Sequence, residues 1–376
     1  MYFECNTNST LPAMRAPFFA DFLTIWYEIS LHSKYNLRQS NLKATGKYCM
    51  TATRKGAYGA DDGLVDYILG ITFEIWEERG IDLIEQYYGD DTVVYSLDGI
   101  THGSQAMIDG TNAMLAAFPD RLLLGDDVIG KGDSHSGYSS HRVLSPMTNS
   151  GDSMFGPATG KAVRIMNMAD CVVEEGIITR EWLARDNLAL VRQLGFDVRE
   201  CATLLRDRYT PELRQWFDKE TSRLNNAAGE TTRGPLADVR SDPESFSQQL
   251  LDASWRSGDA ATLDAAYAPY AVMHRSPVEI ISGRKAIENY YAALRSAFDC
   301  SAARVDHVAQ QPAGEDAIHV ATRWAACGTH TGDYLGTSAT GRPVYIMGVT
   351  HRRIVSGRTA VEWTVFDGLG VLSQLL

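Results

Sequence analysis

The fold is decided by two stretches of the chain, GKAVRIMNMADCVVEEGIITREWLARD at residues 160–186 and GRPVYIMGVTHRRIVSGRTAVEWTVFD at residues 341–367. An offset of 181 residues aligns them, and it pairs the EW dipeptides as well as the aspartates that end both stretches. Upstream, an offset of 180 residues pairs Phe118 with Phe298. An ordered set of matches at nearly one spacing indicates an internal duplication, with a small insertion in a loop between the two blocks.

Each copy shows the same order of predicted elements. A helix, at 71–80 or 246–257, precedes a short strand, a second amphipathic helix and several alternating segments with glycine-bearing turns. Such segments are typical of antiparallel strands. The order predicts the α+β class, with two tandem cone-shaped α+β barrels of the cystatin-like roll type, each a bent antiparallel sheet wrapped over helices. We expect an apolar ligand pocket at the mouth of the cone.

The domain boundaries follow from the repeat. We predict a first domain at 60–196, a helical segment and polar linker at 197–241, and a second domain at 242–376. Residues 1–49 match neither copy. We expect them to form a disordered extension or to reflect a misassigned start, with Met50 as the alternative.

Composition narrows the possible partners. The formal net charge is −12 and no basic run occurs, which excludes a nucleic-acid surface built from clustered lysine and arginine. The most apolar early stretch carries Asp21 and Glu28 and is too short to span a membrane. The six scattered cysteines include no CxxC pair, so we expect free thiols and a cytoplasmic protein.

The last strand of the second copy suggests a site. Alternation puts Val361, Trp363, Val365 and Asp367 on one face, the composition expected of an apolar cavity wall. A carboxylate held there loses hydration, which raises its pKa towards that of a useful general base. We therefore predict Asp367 as the catalytic base and the other three side chains as substrate contacts. The alternative is that Asp367 caps a following helix.

The first copy carries Arg180, Trp182 and Asp186 on the matching face. Trp182 and Arg180 are predicted to contact substrate and Asp186 to be a second catalytic carboxylate. Because Arg180 replaces Val361, we expect the first cavity to be more polar or its carboxylate to be ion-paired. If Asp186 is paired to the arginine, its pKa is lowered and it is a poorer base. The prediction for chemistry therefore favours the second copy.

Three histidines of the second copy, His274, His330 and His351, correspond to other residue types in the first copy. His274 shares a strand face with Val272, so we expect it to face inward as a catalytic hydrogen-bond donor to a substrate oxygen. His330 and His351 are predicted substrate contacts, as is Tyr291 of the second helix. No histidine pair has HxH or HxxxH spacing, so we expect no metal site.

Together these motifs resemble those of the SnoaL-like polyketide cyclases. The similar parts are GTHTGDYLGTSATGR at 328–342, the G-x4-E-W-x3-D pattern that ends both strands, and AFPD at 117–120. The resemblance implies a cofactor-free, metal-free intramolecular aldol condensation on a hydrophobic, polyketide-derived ester. It also implies that the aspartate after EW, here Asp367 or Asp186, is the general acid/base.

Cyclases of this kind are usually single-domain oligomers, so we expect the two repeats to pair within the chain, and homo-oligomerisation stays open. Two alternatives to a cyclase also stay open. One is an isomerase, hydratase or epoxide hydrolase on the same scaffold, and the other is a non-catalytic module that binds a hydrophobic small molecule.

Overall fold

The structure, a computed structural model, describes residues 63–227 and 234–376. The expectations for residues 1–49 and for a start at Met50 fall outside this part of the chain. Across the two described ranges, no helix combines the length and the apolar character needed to cross a membrane.

The first repeat begins with helices, which are followed by a hairpin, a long helix and four strands. Its elements are α1 (Leu64–Thr72), a π-helical turn (Phe73–Glu77), a 3-10 turn (Ile81–Leu83), α2 (Ile84–Tyr87), β1 (Tyr88–Ser96), β2 (Gly99–His102), α3 (Gly103–Ala117), β3 (Leu124–Gly132), β4 (Ser136–Thr148), β5 (Ala162–Glu174), β6 (Ile177–Arg185) and α4 (Asn187–Leu194). Helices α5 (Val198–Asp207) and α6 (Pro211–Ala227) connect it to the second repeat.

The second repeat has the same order, including a π-helical turn at the same place. Its elements are α7 (Pro243–Asp252), the π-helical turn (Ala253–Ser257), α8 (Ala260–Ala266), β7 (Tyr267–Ser276), β8 (Glu279–Ser282), α9 (Arg284–Ala297), β9 (Phe298–Pro312), β10 (Ala317–His330), β11 (Pro343–Val355), β12 (Arg358–Phe366) and α10 (Gly368–Leu375). The predicted tandem α+β architecture is therefore confirmed.

Each repeat contains one six-stranded sheet, and the two sheets have equivalent strand orders, β2-β1-β6-β5-β4-β3 and β8-β7-β12-β11-β10-β9. The prediction of a wholly antiparallel sheet is wrong at one position, because β1 runs parallel to β6 and β7 runs parallel to β12. A long connection through a hairpin, a helix and three strands separates β1 from β6. Such a connection permits parallel pairing, which a short hairpin does not.

The outer faces of the two sheets pack against each other. Met168 and Ala184 of the first repeat form one buried apolar cluster with Val349 and Val365 of the second. Two arginines cross between the repeats in a reciprocal way: Arg142 stacks on Trp363 at 3.8 Å and Arg323 stacks on Trp182 at 3.7 Å. Cation–π contacts of this kind contribute about 0.5–2 kcal/mol each, depending on how far they are removed from water.

The connecting helices fasten the repeats together a second time. Trp216 of α6 stacks on Tyr95 of β1 and packs edge-on against Tyr345 of β11. Tyr209, between α5 and α6, hydrogen-bonds to Ser373 and to the Gly370 carbonyl of α10. The segment after the first repeat is therefore part of the packed structure and contacts both sheets.

Candidate active site

The inner faces of β6 and β12 carry the opposite residues from those predicted. In the first repeat Glu181, Leu183 and Arg185 line an internal cavity, whereas Trp182 and Ala184 face the second repeat. The alternation along the strand predicted correctly which side chains share a face. The prediction of which face lines the cavity was wrong, because the apolar face meets the other repeat. Because the second repeat covers the outer face, that face is as apolar as a cavity wall.

The cavity has a volume of about 620 Å³ and lies between the inner face of the first sheet and helices α1 and α3. Much of its wall is apolar, from Ile68, Ile71, Trp76, Met107, Met114 and Phe118. Such a volume and lining suit a small organic molecule whose orientation is set by a few polar groups.

Those polar groups stand in rows across β4, β5 and β6. The strand register aligns Cys171 with Glu181 in one row, His141 with Ala169 and Leu183 in the next, and Asn167 with Arg185 in a third. Successive rows are two residues apart along each strand, about 6.6 Å. The sheet therefore presents an acid, an imidazole and an amide–guanidinium pair in sequence along one wall.

Glu181 is the buried acid of this wall, with 5% of its surface exposed. Its Oε2 accepts a hydrogen bond from the Tyr88 hydroxyl at 3.3 Å. Burial raises the pKa of its carboxyl from 4.5 to about 7, although the charge of Arg185 opposes that rise. Near neutral pH the group is thus present in both protonation states, which a general acid/base requires.

Two other polar side chains of the wall have atoms that make no hydrogen bond to the described residues. They are Nε2 of His141 and Oδ1 of Asn167, both buried. Burial, reinforced by the nearby His351, lowers the pKa of His141 to about 3, so its ring is neutral at physiological pH. Buried polar atoms nearly always find a partner. Nε2 of His141 is therefore suited to a ligand oxygen or N–H group, and Oδ1 of Asn167 to a ligand N–H or O–H donor.

A second charged group lies further along the wall. Arg185 donates two hydrogen bonds to Asp98, at 2.9 and 3.0 Å, and the Asn187 amide donates to the same carboxylate at 3.2 Å. Arg121 also lines the cavity, and its Nε donates to Ser145 Oγ at 3.1 Å.

The equivalent interior of the second repeat is filled with aromatic side chains. With the same register, Tyr291, Trp324 and Phe366 occupy the positions of Thr111, Val143 and Arg185. Buried Trp255 contacts all three rings, with centroid separations of 6.4, 5.1 and 5.6 Å.

Close packing around Trp324 also explains why residue 348 is a glycine. Gly348 stands at the position of Asn167, and a Cβ added there would lie 2.3 Å from the Trp324 ring. A larger residue therefore cannot share this space with the tryptophan, so the polar amide of the first repeat has no counterpart here.

The equivalent glutamate of the second repeat, Glu362, accepts hydrogen bonds from four side chains. Glu362 accepts hydrogen bonds from Arg352 at 2.9 Å, Tyr267 at 2.6 Å, Tyr291 at 2.9 Å and Thr364 at 2.8 Å. In the first repeat Cys171 takes the place of the arginine. The same EW glutamate is therefore an ion-paired core residue in one repeat, whereas in the other it has no arginine partner among the described residues.

The two predicted aspartates are helix caps. Asp186 accepts a hydrogen bond from the Ala189 N–H at the start of α4, and Asp367 accepts from Leu369 and Gly370 at the start of α10. Neither lines the cavity, although Asn187, a cavity residue, donates to Asp367 at 2.7 Å. Burial raises the pKa of both carboxyls to about 7. The ion pair considered for Asp186 does not form, because Arg180 is exposed and pairs with Glu174 at 3.7 Å instead.

The other predicted contacts lie away from the cavity. Trp363, Val365 and His351 are in the interface between the sheets, where His351 Nε2 lies 2.8 Å from Ser140 Oγ. His274 stacks on Trp363 at 5.6 Å, on the outer side, and corresponds in register to Tyr95 rather than to a cavity residue. Val361 shares that outer face. His330 is buried in its hairpin, with Nδ1 3.0 Å from Thr340, and Tyr291 belongs to the filled interior.

The SnoaL-like polyketide cyclase family matches the chain twice, over residues 68–194 and 246–375. No curated protein matches it.

Among solved structures, similar chains include IdmH from Streptomyces antibioticus at 30% identity, covering 34% of this chain and 92% of its own, with a TM-score of 0.29. TsrD from Streptomyces laurentii is 23% identical, with coverages of 36% and 96% and a TM-score of 0.31. A SnoaL-like polyketide cyclase from Agrobacterium tumefaciens is 19% identical, with coverages of 36% and 100% and a TM-score of 0.30. Because the two family matches together cover more than half of the chain, the protein belongs to the SnoaL-like polyketide cyclase family.

Proposed function

We propose that the first repeat catalyses cofactor-free acid–base chemistry on a hydrophobic small molecule, an intramolecular aldol ring closure of a polyketide-like chain, with Glu181 as the base. The observation that carries the proposal is the environment of Glu181. It is a buried carboxyl with a pKa of about 7, it has no arginine hydrogen-bonded to it among the described residues, and it faces a cavity of about 620 Å³.

The steps follow from that geometry. Ionised Glu181 takes a proton from a carbon flanked by carbonyl groups, and the electron pair is held as an enolate. The enolate carbon attacks a second carbonyl carbon of the same folded chain, which forms the new carbon–carbon bond. The resulting alkoxide takes the proton back from Glu181, so the protein ends as it began. The apolar wall holds the chain bent for attack, which is a proximity effect.

Neutral His141 can stabilise the substrate oxygen that becomes negatively charged in these steps. Its Nε2 is buried and without a partner among the described residues, so in the appropriate tautomer it can donate a hydrogen bond to the enolate oxygen. Because its pKa is about 3, the ring does not compete with Glu181 for the substrate proton.

The test is deuterium exchange at the acidic carbon of an aryl-substituted β-keto ester in D2O, followed by proton NMR against the uncatalysed rate. We expect Glu181→Gln to reduce the protein-dependent rate at least about 100-fold, because general-base catalysis contributes about 10²–10⁴-fold. Glu174→Gln is the matched control on the exposed end of the neighbouring strand. Full activity of the Glu181→Gln protein would reject Glu181 as the base.

A binding module without catalysis is the second candidate, and one observation favours it. The tyrosine–glutamate pair Tyr88–Glu181 recurs as Tyr267–Glu362, where it is part of a packed core. Tight binding of the keto ester with no exchange above background, in wild type and variant alike, would support this alternative.

A further inference from the structure

We propose that the ligand of the first repeat carries a carboxylate, which Arg121 binds at the end of the cavity remote from Glu181. The inference rests on the proposed function in one respect, that this cavity is the substrate site. It narrows the substrate from a neutral ester to a hydrophobic acid.

Arg121 is a half-buried cation in the cavity wall that has no acidic partner among the described residues. Within residues 63–227 and 234–376, no carboxylate lies within ion-pair distance of its guanidinium, and its one side-chain hydrogen bond goes to Ser145. Burial lowers its pKa to about 10, and the charges of Arg185 and Arg79 add to that effect. A guanidinium removed from water without an anion is costly, and a bound carboxylate would supply two parallel hydrogen bonds.

The other charged side chains of the cavity are less suited than Arg121 to bind a ligand carboxylate. Arg185 is already neutralised by Asp98, whose two carboxylate oxygens both accept hydrogen bonds from its Nη1. Arg208 and Asp152 border the cavity, but both are exposed to solvent, and Asp152 accepts a hydrogen bond from the Ala158 N–H. Of the cations that line the cavity, Arg121 is thus the half-buried one that lacks an anion among the described residues.

The second repeat indicates that the arginine is not needed for the fold. Ser301 occupies the position of Arg121, and Ala326 occupies that of Ser145. Both members of the Arg121–Ser145 pair are therefore absent from the repeat whose interior is filled, and both are present in the repeat with the cavity.

The strand register gives the length of the ligand. Glu181 and Arg185 are four residues apart on β6, about 13 Å between their α-carbons, and Ser145 stands one row beyond Arg185. A substrate that reaches both ends must therefore carry its anionic group several bonds away from its acidic carbon.

The experiment compares 4-(2-naphthyl)-4-oxobutanoic acid with its methyl ester, titrated calorimetrically into the full chain at low salt, with acetate as a free-anion control. We expect the acid to bind at least about tenfold more tightly than the ester, since one charge-assisted contact is worth that much. Arg121→Gln should remove the preference while leaving the affinity for the ester unchanged. Arg121→Lys should keep part of it, and Arg180→Gln, an exposed arginine on the outer face, should keep all of it.

Equal binding of acid and ester to wild type, failure of the acid to bind at 1 mM, or a preference that survives in Arg121→Gln would each overturn the inference. Binding of acetate as tight as that of the naphthyl acid would do so too, since it would mark a simple anion site. The Glu181→Gln protein separates this inference from the proposed function. If it loses the acid preference, the inference fails; if it keeps the preference and also keeps proton exchange, the proposed function fails alone.

Discussion

Glutamine substitution at the two EW glutamates should change stability in opposite directions at high pH. Glu181 has its folded-state pKa raised from 4.5 to about 7. For an acid this means that the folded state resists ionisation, so the fold loses stability as pH rises from about 4.5 to above 7. At about 1.4 kcal/mol per pKa unit, the loss amounts to about 3 kcal/mol.

The Glu181→Gln side chain cannot ionise and still accepts the Tyr88 hydrogen bond. Relative to wild type, it should therefore gain up to about 3 kcal/mol between pH 4.5 and pH 8. Glu362→Gln should be destabilising throughout this range. It leaves the buried Arg352 without its anion, which costs about 3–5 kcal/mol.

The assay is thermal or urea unfolding of the full chain and both variants at pH 5 and pH 8. The comparison uses the difference between each variant and wild type, so that the other carboxyls cancel. An equal effect of Glu181→Gln at the two pH values would refute the assignment of a raised pKa to Glu181. A Glu362→Gln protein as stable as wild type would refute the distinction between the two repeats.

Two further substitutions test the corrected roles of other residues. Asp367→Asn keeps a side-chain oxygen for the cap of α10, so it should retain proton exchange. Asp367→Ala should lower the free energy of unfolding by about 0.5–2 kcal/mol, measured by urea unfolding. Loss of exchange in Asp367→Asn would restore that residue as the base. Trp324→Ala should destabilise the chain by about 3–5 kcal/mol and open a void in the second repeat. Binding of a second naphthyl ligand per chain by that variant, measured by calorimetric stoichiometry, would show that this interior is a filled copy of the first.

The fold could be predicted from the sequence because its signals are local or repeated. The duplication is visible as a fixed offset, and the change from helical spacing to alternation marks where helices give way to strands. The parallel pairing of β1 with β6 has no such signal. It depends on where a strand returns after a hairpin, a helix and three further strands.

The site could not be predicted in the same way, since alternation does not say which face of a strand meets the helices. Trp182 and Trp363 look like cavity residues because they are large and apolar, yet the apolar surface that they meet is the other repeat. Glu181 and Arg185 lie on the other face of β6 and received no predicted role. No local signal separates such a buried polar face from a solvent-exposed one, because both alternate with apolar residues along the strand.

The difference between the repeats suggests why the chain carries two copies of the domain. Polar atoms and an arginine that have no partner among the described residues, and a carboxyl with a raised pKa, all destabilise the first repeat, as functional sites commonly do. The second repeat has replaced the equivalent groups with stacked rings and a closed ion-pair network, and it covers the outer sheet face of the first.

If the filled second repeat stabilises the first, the stability lost in Trp324→Ala should weaken ligand binding in the first repeat through the shared interface at Met168, Ala184 and Val365. An unchanged affinity for the naphthyl acid in that variant would instead mean that the two interiors are energetically independent, and that fusion serves only to hold the outer faces together.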